Sequence, residues 1–524
     1  VAHTEMNTLE NWGLFSPQAE AHLESVMGLQ TYDSIRALDF LIGLPDIDPD
    51  RLAVTGASGG GTQTFILAAI DPRLAVAFPA VMVSTAMQGG CTCENASLLR
   101  VDTGNVEFAA LFAPKPLGMT AADDWTKEMP TKGFPELKQH YQMLGAPDNV
   151  MLKALLHFGH NYNYVSRAAM YSWLNKQLKL GCKEPIVEEY YQRLTIPEMS
   201  VWDDQHPKPS GGPEFERGLL RWIADDSARQ VTAARDSLDH YRELVGGAVE
   251  VLIGRNLAEA GEVEYARTAE TDCGGYRACV GLLRNKLHRE ELPLIVLRPK
   301  QPTGQIVIWI DESGKAGLYS DVDSSCPKLK PGIQRLIDAG AAVIGVDLLY
   351  QGEFLKDGKS VTQTRRVNNP RESAAYTFGY NRALFAQQVD DILTVISFAK
   401  NQEPGLKTLD LIGLGAAGPW VAAARAQAPG AVDLAVVDTG GFRFGSVLDL
   451  RDVSFLPGGA KYDDLPGMLA LGAPGKLWLA GEGKQVPEVV RRIYDLARAS
   501  SNLTVFDGSP AEIHQAAINQ LMDF

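Results

Sequence analysis

Apolar residues recur at Ile35, Leu38, Phe40 and Leu41 within QTYDSIRALDFL (30–41), which places them along one face of a helix. The Pro- and Asp-rich LPDIDPD (44–50) breaks that helix, and RLAVT (51–55) follows as a short apolar run of strand character. QTFILAAI (63–70) returns to helical spacing. The stretches 74–83, 116–120 and 151–156 read as further buried strands, and 167–180 as a closing amphipathic helix. Strands alternating with helices predict a parallel sheet covered on both faces. The texture changes after Cys182, where Pro185, Pro197, Pro207, Pro209 and Pro213 gather with Gly211 and Gly212 in a linker-like segment, and a polar helical stretch follows over 214–245. Three β-rich runs (VEVLIG, YRACVGLLR, LPLIVLRP) occupy 248–299, and α/β alternation resumes from Gly304 with QIVIWI, GIQRLIDAG, AAVIGVDLL, LDLIGL, VDLAVVDT and KLWLAG. The expected class is therefore α/β, with two domains in tandem: a first over 1–182, a linker and helical segment over 183–245, and a second over 246–524.

Composition narrows the partners. The chain has 524 residues, 45% of them hydrophobic, and a net charge of −15. With no long basic run, this balance argues against nucleic acid or an anionic membrane surface as a partner and fits a neutral small-molecule or carbohydrate ester. The longest uncharged run, 74–93, contains Pro79, Ser84, Thr85, Gln88 and two glycines, unsuitable material for a membrane span. Six cysteines are too few for a disulfide scaffold in so long a chain. Cys91 and Cys93 stand too close together for a zinc knuckle, and Cys273 with Cys279 is a possible bridge.

The strongest chemical signal is Gly56-Ala57-Ser58-Gly59-Gly60, a G-x-S-x-G pentapeptide between strand RLAVT and helix GTQTFILAAI. Such a turn holds a nucleophilic serine at strained backbone angles, and small neighbours, Gly56 and Gly60, let strand and helix approach. The N–H of Gly59 at the helix start is positioned to stabilise an oxyanion. A phosphate loop would need a lysine after the glycines, where Thr62 and Gln63 stand. A serine nucleophile needs a histidine base oriented by a carboxylate, in the chain order Ser, Asp or Glu, His. His160, in the loop after the last strand (HFGHNYN), is preferred over His157, which lies nearer the strand end. His140 falls in a helical stretch. Asp123 and Asp124 compete for the acid, both following the strand PKPLGMT. His157 and His160 could together ligate a metal, but no Cys or acidic cluster accompanies them, and no metal is expected.

The runs MGLQTYDSIRALDFLIGLPDIDPDRLAVTGASGGGTQT, MQGGCTCENASLLR, AALFAPKPLGMTAADDWT and HFGHNYN resemble the large bacterial acetyl xylan esterase-like and cephalosporin-C deacetylase-like α/β hydrolases, densely over about residues 10–205. The resemblance implies an exported, cofactor-free serine carboxylesterase. Its nucleophile would map onto Ser58, its acid onto Asp124 of the DWT motif and its base onto His160. It also implies that CENASLLR forms a substrate-side loop offering Glu94, Asn95 and Arg100, with Trp125 and His157 as further substrate contacts. A buried structural network is an equal reading of Glu94, Asn95 and Arg100.

Two departures accompany the resemblance. An α/β hydrolase places about four strands before its elbow, one of whose loops supplies a second oxyanion donor, yet mostly helix and loop precede Ser58. The first domain is thus expected to be N-terminally incomplete, with an exposed strand edge that favours a homo-oligomer and with activity that is weakened or altered. The second domain reads as a degenerate hydrolase: Gly413-Leu414-Gly415-Ala416-Ala417 follows strand TLDLI, and glycine takes the nucleophile position. GLGAAG also fits a dinucleotide fingerprint, a weaker reading. His514 falls in a C-terminal helix, not a loop. A peptidase or amidase of the same fold and a catalytically impaired binding or scaffold protein stand as alternatives to the esterase.

Overall fold

The computed structural model describes residues 11–208, 211–321, 326–367, 374–403 and 405–523. The chain divides into two compact units. The first comprises Val1–Ala19, Glu24–Leu220 and Val367–Asn381; the second comprises Glu20–Leu23, Arg221–Arg366 and Arg382–Phe524. The first unit therefore extends into the Pro-rich stretch expected as linker, and it takes in a short segment from far along the chain.

The first unit is built on a four-stranded sheet in the order β1 (Ala53–Ala57), β2 (Val76–Ala80), β3 (Leu117–Ala121), β4 (Val150–Ala154), and every neighbouring pair is parallel. Side chains alternate across it as the pleat demands. Val76 and Phe78 face Met170 and Trp173 of the helix Tyr164–Leu178, while Ala77, Leu117 and Met119 pack with Phe65, Leu67 and Tyr141 on the opposite face. Each large apolar side chain buried this way contributes roughly 1.5–3 kcal/mol. Gly118 makes room for the first of these layers, because a Cβ there would stand 2.6 Å from the Phe78 ring and 2.8 Å from that of Trp173. The helix over 30–41 expected from the sequence is part of a longer one, Val26–Ile42, which Ser25 caps by accepting the Gly28 N–H.

The second unit carries a nine-stranded mixed sheet in the order β13-β12-β11-β10-β8-β9-β7-β6-β5. Its strands are β5 (Val263–Asp272), β6 (Tyr276–Asn285), β7 (Glu290–Pro299), β8 (Gln305–Ile310), β9 (Ala342–Val346), β10 (Thr408–Gly413), β11 (Leu434–Asp438), β12 (Lys476–Ala480) and β13 (Leu503–Val505). The ladder from β9 through β8 to β13 is parallel, and β5, β6 and β7 join it antiparallel. VEVLIG, read as β-rich from sequence, is helical (Gly247–Ile253). Val249, Leu252 and Ile253 are buried while Glu250 and Val251 face outward, an i, i+3, i+4 spacing, and Gly254 ends the helix at φ 85°. Sequence reading missed two strands: β5, whose polar, largely exposed residues give little apolar alternation, and the three-residue β13, too short to show any. Cys273 is bridged to Cys326, not to Cys279. Cys279 sits three residues into β6 beyond Tyr276, roughly 10 Å along the strand from the turn, and keeps a buried free thiol. Among the described residues no helix is long and apolar enough to cross a membrane.

Asp410 lies at the centre of this sheet with no exposed surface. Its Oδ2 accepts from Gln305 Nε2 at 2.7 Å, Oδ1 has no hydrogen-bond partner among the described residues, and burial pushes the carboxyl up to about 6. The folded form thus holds a proton that the unfolded chain, ordinarily near 3.8, has released. Stability attached to this group is greatest below pH 4 and falls as pH rises towards 6, by an amount of about 3 kcal/mol. Asp410→Asn should therefore gain on the parent by about 2–3 kcal/mol between pH 4 and pH 8, which denaturant titrations at the two pH values would measure. An equal effect at both would contradict this account of the site.

Candidate active site

Ser58 sits between β1 and the helix Gly59–Ile70 with φ 58° and ψ −126°, a combination that non-glycine residues rarely adopt. The Ser58 N–H donates to Ala80 O at 3.3 Å, and Ser58 O accepts the Thr62 N–H at 3.0 Å, so the turn is tied to β2 on one side and to the helix on the other. Gly59 is the first helical residue. Its N–H therefore has no carbonyl acceptor within its own helix, and the helix dipole adds partial positive charge at the same place. The glycines serve the turn unequally. A Cβ on Gly56 would stand 2.4 Å from Gly60 O and one on Gly61 2.7 Å from Met82 Cβ, whereas one on Gly60 meets nothing within 4 Å. Close approach thus depends on Gly56 and Gly61, and Gly60 contributes its backbone. Gly56→Ala should cost about 3 kcal/mol or more through the backbone clash, while Gly60→Ala should be neutral or stabilise by up to about 1 kcal/mol. Thermal denaturation of the two variants separates them.

Asp124 and His160 come together from the loops after β3 and β4. Asp124 Oδ2 meets His160 Nδ1 at 2.8 Å, and Oδ1 accepts the Thr126 N–H at 2.7 Å and the Thr126 hydroxyl at 2.5 Å. The carboxylate is 4% exposed, so its orientation is fixed by partners on both oxygens. The histidine loop is braced in turn. Asn161 Oδ1 accepts from Asn163 N–H and the Ser166 hydroxyl, and Asn163 caps the following helix by accepting the N–H groups of Val165 and Ser166. Asp123 is exposed, and among the described residues its hydrogen bonding is through the backbone N–H, which donates to Phe158 O. His157 is exposed, packs at a tilt against Phe158 and does not line the cavity described next.

Ser58, Gly59, Gly60, Gln63, Glu94 and Trp125 line a cavity of about 670 Å³, with the Cys91–Cys93 disulfide in its wall. Trp125 packs against His160 with ring centroids 4.4 Å apart, and so connects the serine's cavity to the Asp124–His160 pair. Among the described residues no hydrogen bond joins the Ser58 hydroxyl to the His160 ring. Such contacts are often loose without substrate and tighten when it binds. The CENASLLR loop divides between the two readings open to it. Glu94 reaches the cavity; its Oε2 accepts the N–H groups of Gly90 at 2.5 Å and Cys91 at 3.0 Å, and its Oε1 lies 3.5 Å from where a Cβ on Gly59 would be. Asn95 and Arg100 stand behind it as a buried network: Arg100 donates to Glu94 O at 2.7 Å and to Asn105 Oδ1 at 3.1 Å, and Asn95 Nδ2 to Cys91 O at 2.8 Å. Burial holds the Arg100 guanidinium below its ordinary pKa.

Sequence reading missed the residues that brace this loop from outside. The N–H groups of Leu98 and Arg100 donate to Phe378 O and Gly379 O, both at 2.8 Å, and the Tyr380 hydroxyl donates to Asn95 Oδ1 at 3.0 Å. Nothing local marks a partner 285 residues away.

The second unit repeats the turn without its chemistry. Gly415 adopts φ 58°, as Ser58 does, and a Cβ on Gly413 would stand 2.6 Å from Ala417 O, matching the Gly56–Gly60 approach. A 3₁₀ turn, Gly415–Ala417, then leads into the helix Gly418–Ala426. The two turns share this positive φ and the close approach behind it, and Gly415 carries no side chain.

No family model matches the chain. Over 78 residues it is 33% identical to YtaP of Bacillus subtilis (strain 168), whose name marks it as a candidate hydrolase; the match covers 13% of this chain and 26% of YtaP. Among solved structures it is similar to methylesterase BT1017, with 32% identity and TM-score 0.29 over 33% of this chain and 40% of that one. It is also similar to BF1801 of Bacteroides fragilis NCTC 9343, described as a candidate acetyl xylan esterase, with 15% identity and TM-score 0.38 over 52% of this chain and 77% of that one. Acetyl xylan esterase 1 from Thermoanaerobacterium sp. JW/SL YS485 gives 12% identity and TM-score 0.33 over 56% and 98%. The chain thus spans about a quarter of YtaP and under half of BT1017.

Proposed function

We propose that the protein is a serine carboxylic ester hydrolase that removes small acyl groups, acetyl foremost, from carbohydrate or other small esters. The observation that carries this reading is a serine at positive φ on a strand-to-helix turn, lining a cavity whose Trp125 wall packs against a His160 held by the buried Asp124 carboxylate. In this reading Ser58 Oγ attacks the ester carbonyl carbon, and His160 Nε2 takes the hydroxyl proton. Asp124, bonded to Nδ1, orients the ring and stabilises its charged form. The Gly59 N–H holds the oxyanion as the tetrahedral intermediate forms. Collapse expels the alcohol, which leaves with the proton from His160. Water then repeats the sequence on the acyl-enzyme and releases the acid. Glu94, an acceptor in the cavity wall, suits a hydroxyl-bearing neutral substrate and repels an anionic one at that position.

The test is turnover of nitrophenyl acetate and acetylated xylo-oligosaccharides compared with peptide anilides. Release of acetate from the first two, without anilide cleavage, is the expected result. Cleavage of anilides alone would favour a peptidase, and inertness towards all three a binding protein.

A further inference from the structure

The second unit has a cavity of about 410 Å³ at the end of the sheet where β6 and β8 begin and β7 ends. This is the end opposite Gly415, at the amino ends of the parallel strands. Four cationic side chains line it, Arg267, Arg277, Arg298 and Lys300, against two carboxylates, Glu270 and Glu403. Arg277 and Arg298 stand directly opposite each other on β6 and β7. Such like-charge pairing costs up to about 1 kcal/mol unless something offsets it.

The two carboxylates offset only part of it. Glu403 binds Arg298 through both oxygens at 2.5 and 2.8 Å, which consumes that fork. Glu270 is shared between Arg267 and Arg277, meeting Arg277 Nη1 at 3.2 Å, so each of these arginines uses a single Nη on it. The nearest carboxylate oxygen to Lys300 Nζ, on Asp272, is 4.0 Å away. Both shared arginines are more than half exposed and present planar N–H forks beside the cavity. Among the side chains lining the concavity four cations face two carboxylates, and with Asp272 at its edge counted one positive charge remains in excess, in a chain whose overall charge is −15.

We infer that this cavity binds an oxyanion carried on a small organic body, a carboxylate or phosphate on a sugar-sized molecule, with Arg277, Arg267 and Lys300 as its recognising cations. Guanidinium forks match the planar or tetrahedral oxygens of such groups, and the ammonium adds a point charge. Pro299, Pro302 and Ile306 give the uncharged part of the ligand an apolar wall. The site is separate from the Ser58 cavity, and its occupancy does not depend on the hydrolase reading.

Calorimetric titration of the whole protein at low salt, with glucuronate, glucose 6-phosphate, inorganic phosphate and neutral glucose, tests this. Glucuronate or glucose 6-phosphate should bind, glucose should not, and binding should weaken as salt rises. A preference for one of the two would identify the oxyanion. Arg277→Gln and Lys300→Gln should each weaken binding about tenfold or more, while Arg284→Gln, an arginine of β6 outside the cavity, should leave it unchanged. Failure of both sugar anions to bind, binding of inorganic phosphate alone, or undiminished affinity in Arg277→Gln would overturn the assignment.

Discussion

Ser58→Ala should lower ester turnover by about 10⁴–10⁶ while leaving the fold intact. The loss is large because the hydroxyl is the only atom removed and no other group in the cavity can form the acyl-enzyme. Glu94 carries an acidic oxygen there, but its Oε2 is engaged by two backbone N–H groups. Binding and the Gly59 donor would leave a residual rate above water. Stability should stay constant or rise slightly, since alanine leaves the strained turn without a polar group to desolvate. Comparing initial rates and denaturation midpoints for parent and variant checks both halves of this expectation.

Asp124→Asn should reduce turnover by about 10⁴, with little change in stability. The direction follows from the partners on the two carboxylate oxygens. Thr126 donates to Oδ1 through both its N–H and its hydroxyl, so the amide oxygen of an asparagine must take that position. The amide NH₂ then faces His160 Nδ1, which it can only serve as a donor. The ring is forced to carry its proton on Nε2, the nitrogen that has to accept from Ser58. Asp123→Asn, at the exposed neighbour, should leave turnover within about twofold. A comparable loss in both variants would mean that the wrong carboxylate has been placed beside the base.

The local parts of this site were legible in the chain, and the non-local parts were not. Gly56-Ala57-Ser58-Gly59-Gly60 announces its turn because strand, bend and helix follow one another within a few residues, and Ser58 does occupy the strained position. No local pattern separates Asp124 from its neighbour Asp123; the hydrogen bonding places Asp124 against His160 and Asp123 at the surface. Gly56 does meet the Gly60 backbone closely, but the second tight approach is made by Gly61 against Met82, a contact across 21 residues that the pentapeptide does not contain. VEVLIG misled because four of its six residues are β-branched or aliphatic, and in so short a run alternation and helical spacing overlap. The brace of Phe378, Gly379 and Tyr380 on the CENASLLR loop was invisible for a different reason: it links distant residues through backbone carbonyls and one hydroxyl, groups with no sequence pattern. The Cys273–Cys326 bridge was likewise set by tertiary proximity and not by spacing.

The most direct measurement is covalent: incubate the protein with a fluorophosphonate and locate the adduct by peptide mass spectrometry. Stoichiometric modification of the peptide holding Ser58, absent in Ser58→Ala and slowed in Asp124→Asn, is the predicted result. A parent protein that takes up no phosphonate, or an Ser58→Ala variant labelled as readily as the parent, would contradict the assignment of Ser58 as nucleophile.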